Sequence, residues 1–271
     1  MKTPLTYYGG KQMMLKHILP LVPDHTVYNE PFIGGGALYW AKKEVRCEMI
    51  NDINNNIITF YEVIKGGRTK MFDRLVQTSL LSLTQYQKAN KIFWGRIKSN
   101  RPEKAWAVWF LGNLAFSGDF DGSIKFSKSP ERSYNFLINS RRNILDPINI
   151  KRLEKTQINC RDAIEVTTMM DSKNTFHYLD PPYMGADQGH YSGYIEEQFI
   201  ELLGTCNNLK GKFLLSCYPG KIIDNFIEAN NWNYKKIMKY SGAAAYHGKR
   251  IDKLELLVYN YIEPNKQTKI F

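Results

Sequence analysis

The sequence predicts an α/β fold, a doubly wound sheet interrupted once by a mainly helical insertion that carries a β-hairpin. Three observations predict it. In the first 61 residues, short apolar runs closed by glycine, proline or acidic residues alternate with helical patterns, the grammar of a sheet with crossover helices. The alternation resumes near residue 156 and runs on through the rest of the chain. Between the two, residues 62–155 read as helices with one polar, glycine-marked stretch, and they hold 18 Lys and Arg against 8 Asp and Glu.

The elements follow in order. Thr26-Val27-Tyr28-Asn29 reads as a short buried strand, which Glu30-Pro31-Phe32-Ile33-Gly34-Gly35-Gly36 turns into a helix beginning near Ala37. Glu48-Met49-Ile50-Asn51 is a second strand ending at Asp52, followed by a helix through Ile53, Ile57, Ile58, Tyr61 and Ile64. Strand, glycine turn, helix, strand and acidic residue in that order describe a nucleotide-binding βαβ unit. Past Gly66-Gly67, helical patterns cover 84–98 and 103–115. Asp121-Gly122 between short alternating runs signals a hairpin, and a further helix covers 134–145 and ends before Pro147. Strands are then expected at 156–160, 176–179, 213–217 and 254–261. Helices are expected after Asp162 and over 195–209 and 222–229.

At 271 residues the chain suits a catalytic domain of residues 1–61 with 156–271, into which a smaller domain of residues 62–155 is inserted. A hydrophobic content of 43% with 13% aromatics excludes a disordered chain. No apolar run approaches the roughly 20 residues that span a bilayer, and Met1-Lys2-Thr3-Pro4 lacks a signal-peptide core, so a cytoplasmic protein is expected. Cys47, Cys160, Cys206 and Cys217 form no Cys-x-x-Cys pair and have no His at ligand spacing, so neither a metal site nor a disulfide framework is expected. They read as small buried or half-buried side chains. Of the net charge of +11, the middle segment carries all but one unit, which marks it as a surface for a polyanion.

The chemistry concentrates in three turns. Pro31-Phe32-Ile33-Gly34-Gly35-Gly36 lets the backbone approach a ligand closely, but it lacks the Gly-x-Gly-x-x-Gly spacing and the Gly-Lys-Ser/Thr ending of dinucleotide and triphosphate cradles. Asp52 is placed to accept hydrogen bonds from a ribose diol, to cap the helix that follows it, or to do both. Asp180-Pro181-Pro182-Tyr183 follows the apolar run Phe176-His177-Tyr178-Leu179. There Asp180 and a proline carbonyl are suited to accept the two hydrogens of a planar amine while Tyr183 stacks on its ring, a geometry that aims the nitrogen lone pair at an electrophile. His177 reads as a core group or as one that supports the Asp180 turn from behind, not as a catalytic one.

Taken together, Tyr8-Gly9-Gly10-Lys11, Glu30-Pro31-Phe32-Ile33-Gly34-Gly35-Gly36, Asn51-Asp52-Ile53-Asn54, Cys160-Arg161-Asp162 and Asp180-Pro181-Pro182-Tyr183 resemble the Dam-type DNA adenine methyltransferases, in family order and over nearly the whole chain. The tail Gly248-Lys249-Arg250-Ile251-Asp252-Lys253-Leu254-Glu255-Leu256-Leu257 resembles the family's last strand and the basic loop before it. The resemblance implies a Rossmann-like methyltransferase sheet, S-adenosylmethionine as methyl donor and the N6 amine of a flipped adenine in double-stranded DNA as acceptor, without a metal. It places Tyr8 and Lys11 by the donor's methionine end, Phe32 and Gly34 along it, Asp52 at its ribose and Asp162 by its adenine. Asp180 lies between donor and amine, with Pro181 and Tyr183 completing the catalytic turn.

For DNA, the resemblance makes residues 62–155 the target-recognition domain and the Asp121-Gly122 hairpin the part that enters the duplex. Phe120 is then a candidate wedge, with simple packing the alternative, and Lys125 a base or phosphate contact. Arg141 and Arg142, with Lys151 and Arg152, suit phosphate contacts, as do Lys249 and Arg250. GATC-specific members carry an Arg, an aromatic residue and an Asn where this chain has Lys125, Phe126 and Ser127. Lys lacks the planar fork that reads guanine bidentately, so GATC is not implied. An RNA or cytosine acceptor and a catalytically inactive nucleic-acid-binding regulator are the competing readings; the intact set of Lys11, Gly34, Asp52 and Asp180 favours an enzyme. A cognate restriction endonuclease is compatible with the family and is not written in these motifs.

Overall fold

The computed structural model describes residues 1, 3–7, 9–115, 120, 123–125, 128–183, 194–240 and 252–264. Helix α1 (Leu15–Ile18) precedes strand β1 (Val27–Glu30), which leads through the glycine turn to α2 (Ala37–Ala41) and β2 (Cys47–Asn51). Six helices come next: α3 (Asn55–Lys65), α4 (Lys70–Gln77), α5 (Leu83–Phe93), α6 (Arg101–Leu114), α7 (Pro130–Leu145) and α8 (Ile148–Leu153). The chain then alternates through β3 (Thr156–Asn159), α9 (Ala163–Met169), β4 (Thr175–Leu179), α10 (Glu196–Asn208), β5 (Lys212–Cys217) and α11 (Lys221–Asn230), and ends in β6 (Asn233–Tyr240) and β7 (Asp252–Tyr259).

The seven strands form one sheet in the order β3-β2-β1-β4-β5-β7-β6. Its first five strands repeat the order of a doubly wound nucleotide-binding sheet, and β7 runs antiparallel to both β5 and β6. This is a mixed α/β architecture consistent with a Rossmann-like methyltransferase fold. Strand β6 and helices α1, α4 and α8 escape the periodicity reading. In β6 the run Tyr234-Lys235-Lys236-Ile237-Met238 leaves Tyr234 and Met238 exposed, so no apolar alternation marks it, and α4 buries only Phe72 and Val76. The Asp121-Gly122 hairpin lies outside the described residues; beside it, Ala115 and Ile124 form an isolated antiparallel bridge.

By contacts the chain divides into two compact units, Met1–Met13 with Ile33–Asp162, and Met14–Phe32 with Ala163–Phe271. The first is organised around α6, whose residues Ala105 to Leu114 are all buried. A helix apolar on every side belongs inside a protein, and α3, α4 and α5 pack around it. A capping box starts it: the Asn100 side chain accepts from Glu103 N (3.0 Å) while the Glu103 carboxylate accepts from Asn100 N (3.1 Å), which satisfies two end donors that the helix itself leaves open. At its other end, Gly112 lets the Thr6 carbonyl approach so closely that any Cβ would collide. Asn113 Oδ1 accepts from Thr6 N (3.3 Å) and Thr6 Oγ1 (3.1 Å), and its Nδ2 donates to Pro4 O (3.1 Å).

In the second unit β4 is buried at every position. It lies parallel to β1, with Asn29 opposite His177, and to β5, with Leu179 opposite Leu215. A strand covered on both faces needs this continuous apolar run. Phe199, Leu202 and Leu203 of α10 pack with Leu179, Phe213, Leu215, Trp232 and Val258 into its core. His177, fully buried, sits between Asn29 Nδ2 (3.1 Å) and Asp171 Oδ1 (3.4 Å). Burial pulls its pKa down to about 4, against the pull of Asp171, so it is a neutral core group. The cysteines are free, and Cys160 is exposed rather than half-buried, because its short strand ends one residue earlier, at Asn159. Among the described residues no helix is long and apolar enough to cross a membrane.

Candidate active site

The glycine turn of the first unit is walled by backbone and rings. A Cβ on Gly34 would stand 3.0 Å from the Tyr7 ring, one on Gly35 2.9 Å from the Leu5 carbonyl oxygen, and one on Gly36 2.9 Å from the Tyr61 hydroxyl. Gly34 and Gly36 also take positive φ, 43° and 64°, a region that side chains disfavour. Tyr61 Oη donates to Gly34 O (2.9 Å). Asp52, only 4% exposed, accepts from Gly34 N on Oδ2 (3.0 Å) and from Asn54 N on Oδ1 (2.9 Å). It is not the helix cap. That role falls to Asn54, whose side chain accepts from Asn56 N (3.0 Å), and α3 therefore begins after Ile53, which stands 65% exposed. Burial raises the Asp52 pKa to about 6, against the lowering effect of the two amides.

Lys11 is buried, with Nζ donating to Gly9 O (3.1 Å). Asp162 is exposed on the loop after β3. Buried Asn51 fixes that loop from both sides, accepting from Arg161 N (2.9 Å) and donating to Arg161 O (3.0 Å). Lys11, Gly34, Asp52 and Asp162 thus belong to one unit. Tyr8 lies outside the described residues. Tyr7 and Tyr61 escape sequence reading as site residues; the signal that points to them is the glycine run, which requires neighbours pressed against it.

The second unit holds the other turn. Strand β4 delivers half-buried Asp180, buried Pro181 and half-buried Tyr183 to its exit. The Tyr183 hydroxyl donates to Glu255 Oε1 (2.5 Å), and its ring meets Tyr218 edge-on, centroids 4.5 Å apart. Burial first, then the Asp180 and Glu255 carboxylates, push the Tyr183 phenol well above its ordinary pKa, so it stays a donor. Beside the turn lies a cavity of about 340 Å³ lined by Pro181, Pro182, Tyr183, Phe199, Tyr218 and Ile222. Phe32 packs on the core of this unit and meets Tyr194 edge-on at 6.3 Å.

The residues expected to touch DNA behave differently from one another. Phe120 is fully buried, edge-on to Phe93 (4.7 Å) and Tyr7 (5.6 Å), and its carbonyl accepts from Tyr86 Oη and Asn90 Nδ2. In this structure it packs as a core residue, the alternative to a wedge. Lys125 is turned inward, donating to Asn113 O (2.9 Å) with its ammonium 4.4 Å above the Phe136 ring. Burial lowers its pKa to about 8, and here its ammonium is engaged within the protein rather than presented outward. Arg141 donates to the carbonyls of Val76 (3.2 Å) and Ser79, covering acceptors at the C-terminal end of α4. Arg152 is no phosphate contact: it is buried, paired with Glu48, with its guanidinium 4.0 Å from the Tyr39 ring centroid. Glu48 also binds Lys42 (2.5 Å), and although burial works to raise its pKa, the two cations hold it below the ordinary range. Arg142 is exposed. Lys249 and Arg250 lie outside the described residues.

The chain is 25% identical to the type II methyltransferase M.MjaIII of Methanocaldococcus jannaschii over 95% of its own length and 98% of the relative's. It is 26% identical to the type II methyltransferase M1.LlaDCHI of Lactococcus lactis subsp. cremoris, covering 70% of this chain and 69% of that one. It is 23% identical to the modification methylase StsI of Streptococcus sanguinis, spanning all of this chain and 44% of that protein. One family description runs from Tyr7, against the glycine turn, through Asp52 and Asp180 to the last residue of β6, residues 7–240, and by that match the chain belongs to the D12 class N6 adenine-specific DNA methyltransferases.

Proposed function

We propose that the two turns divide the work of adenine N6 methylation, the glycine turn with Asp52 holding S-adenosylmethionine and the Asp180-Pro181-Pro182-Tyr183 turn holding the amine. That the chain is a site-specific, adenine-specific DNA methyltransferase using a methyl donor follows from its family. The observation that supports the division of work is the exit of β4, where a fully buried strand is followed by Asp180 and then by Pro181, Pro182 and a pinned Tyr183 ring that line a cavity of about 340 Å³.

The first unit's residues fit a nucleoside-bearing donor. The turn at Gly34 and Gly36 has no room for side chains of its own, which leaves backbone for a ligand to approach. A carboxylate offers about four acceptor positions, and Asp52 spends two on Gly34 and Asn54, leaving two for a ribose diol. Lys11 and Asp162 lie in the same unit, suited to the donor's carboxylate and its adenine. When bound, the donor supplies an electrophilic methyl on a sulfonium centre.

The remaining work falls to the second turn. Asp180 and the Pro181 carbonyl accept the two N6 hydrogens, drawing the nitrogen toward a tetrahedral geometry with its lone pair free, and Tyr183 stacks on the purine. With a sulfonium donor bound, its methyl would pass to the lone pair and the thioether would leave, and the Asp180 carboxylate or water would take the proton of the acidic aminium. The target base leaves the duplex to reach this turn. Residues 62–155, as the target-recognition domain, bind double-stranded DNA through exposed cations such as Arg142, in the cytoplasm. The test is Asp180→Ala: transfer of labelled methyl to DNA is lost while calorimetric donor binding and the circular-dichroism spectrum are kept. Undiminished transfer overturns the role of Asp180.

A further inference from the structure

The geometry points to Glu255 as a positioning residue for methyl transfer: it holds the hydroxyl of Tyr183 and so sets the direction of the ring that covers the target base. This rests on reading the exit of β4 as the amine site.

Glu255 lies on β7 among Leu254, Leu256, Leu257 and Val258, opposite Ile237 of β6, and is 1% exposed. A carboxylate in that setting costs several kcal/mol unless it is well bonded, and an apolar residue of similar size would fill the position more cheaply. The bond it accepts from Tyr183 is short, 2.5 Å, as charge-assisted O–H···O bonds are. The chain leaves β5 as Tyr218 beside Leu256, the partner of Cys217, which brings the Tyr218 ring to 4.5 Å from Tyr183 at an interplanar angle of 64°.

The two neighbours constrain different motions. A tyrosine hydroxyl lies on the axis that runs from Cβ through the ring, so a bond at Oη fixes where that axis points but not rotation about it. Packing against Tyr218 limits the rotation. Glu255 and Tyr218 together define one face of Tyr183, and a ring whose axis swings by even an ångström at its far end no longer covers the base that Asp180 has to hold.

The experiment is a double-mutant cycle on Tyr183→Phe and Glu255→Leu, with Glu255→Gln as the conservative variant. Readouts are single-turnover transfer of labelled methyl from S-adenosylmethionine to adenine-unmethylated genomic DNA, calorimetric donor affinity and thermal stability. Glu255→Leu and Tyr183→Phe are each expected to slow transfer by about 10- to 100-fold, the penalty of misplacement by about an ångström, with donor affinity unchanged. Glu255→Gln, which keeps an acceptor, restores the rate to within a few-fold. The double variant replaces both polar partners, so it regains stability relative to Tyr183→Phe, yet transfers no faster than either single. A purely structural Glu255 would instead recover rate and stability together. Wild-type transfer by Glu255→Leu overturns the proposal, as does a rate loss at Glu255 that persists undiminished when Tyr183 is already Phe. If Asp180→Ala is inactive while Glu255→Leu is fully active, only the tether fails; if Asp180→Ala stays active, the amine-site reading fails first.

Discussion

The turn after β1 and the turn after β4 both leave buried strands, and they are built in opposite ways. The first is defined by what its residues lack: Gly34, Gly35 and Gly36 are pressed by Tyr7, Leu5 and Tyr61, and Asp52 is locked by two backbone amides. The second is defined by what its residues carry: a carboxylate, two rigid rings and a phenol tied to Glu255. A turn made of absences stores its function in the backbone, so damage to it reaches the fold. In a turn made of side chains, chemistry is separable from stability.

The largest effect expected from that contrast is on turnover. Asp180→Asn keeps the shape of the side chain and should lower the rate of transfer by about 10²- to 10⁴-fold with little change in unfolding midpoint; a large loss of stability would erase the distinction. Arg152→Ala should do the reverse. It leaves buried Glu48 with Lys42 as its remaining cation and the Val45 amide as a further donor, and should cost about 3–5 kcal/mol in denaturant unfolding, with the salt dependence of DNA binding unchanged. Gly36→Ala forces a side chain into φ 64° against Tyr61, Ile33 and Trp40, and should cost about 1–3 kcal/mol together with donor affinity, measured by calorimetry.

Asp52 gives a pH-dependent version of the same contrast. Its pKa is about 6 in the folded chain, raised by burial from 3.8, so between those values the folded state holds a proton that the unfolded state has lost. The resulting stabilisation is complete below the unfolded value and disappears as pH rises through about 6. Asp52→Asn removes the titration. Its stability relative to wild type should therefore improve from pH 4 to pH 6 and hold at neutrality, by roughly 1–2 kcal/mol, while its donor affinity falls. His177, depressed to about 4, has the opposite sign and supports the fold less as pH falls through that value. The smallest effect belongs to Arg142→Ala, which should leave stability within about 0.5 kcal/mol and reduce the salt slope of DNA binding by about 1.

The same contrast governs what could be read from residues alone. The strands buried on both faces, β4 above all, and the glycine turn announce themselves because such burial demands apolar runs and close approach demands glycine. Asp180 to Tyr183 is legible because few other purposes put a carboxylate, two prolines and an aromatic at a strand exit. Charge counting, by contrast, registers a surplus and says nothing of direction. Arg152 and Lys125 contribute to the basic excess, yet one neutralises a buried glutamate and the other lies over Phe136. Phe120 looked like a blade because it precedes Asp121-Gly122; edge contacts with Phe93 and Tyr7 are tertiary facts that no local pattern encodes. Glu255 was hidden for the same reason, since its partner lies 72 positions away in sequence.

Gly112 and Asn113 close α6 by gripping Pro4 and Thr6, and the Asn113 carbonyl also takes the Lys125 ammonium. For protein engineering this makes the helical segment between β2 and β3 a poor cassette. A segment transplanted from a relative arrives without the Gly112 and Asn113 contacts that hold Pro4 and Thr6, and the amino-terminal segment they hold supplies Leu5 and Tyr7, against which the glycine turn is built. Exchanges that carry residues 3–7 together with the end of α6 should yield folded hybrids, and those that cut between them should not.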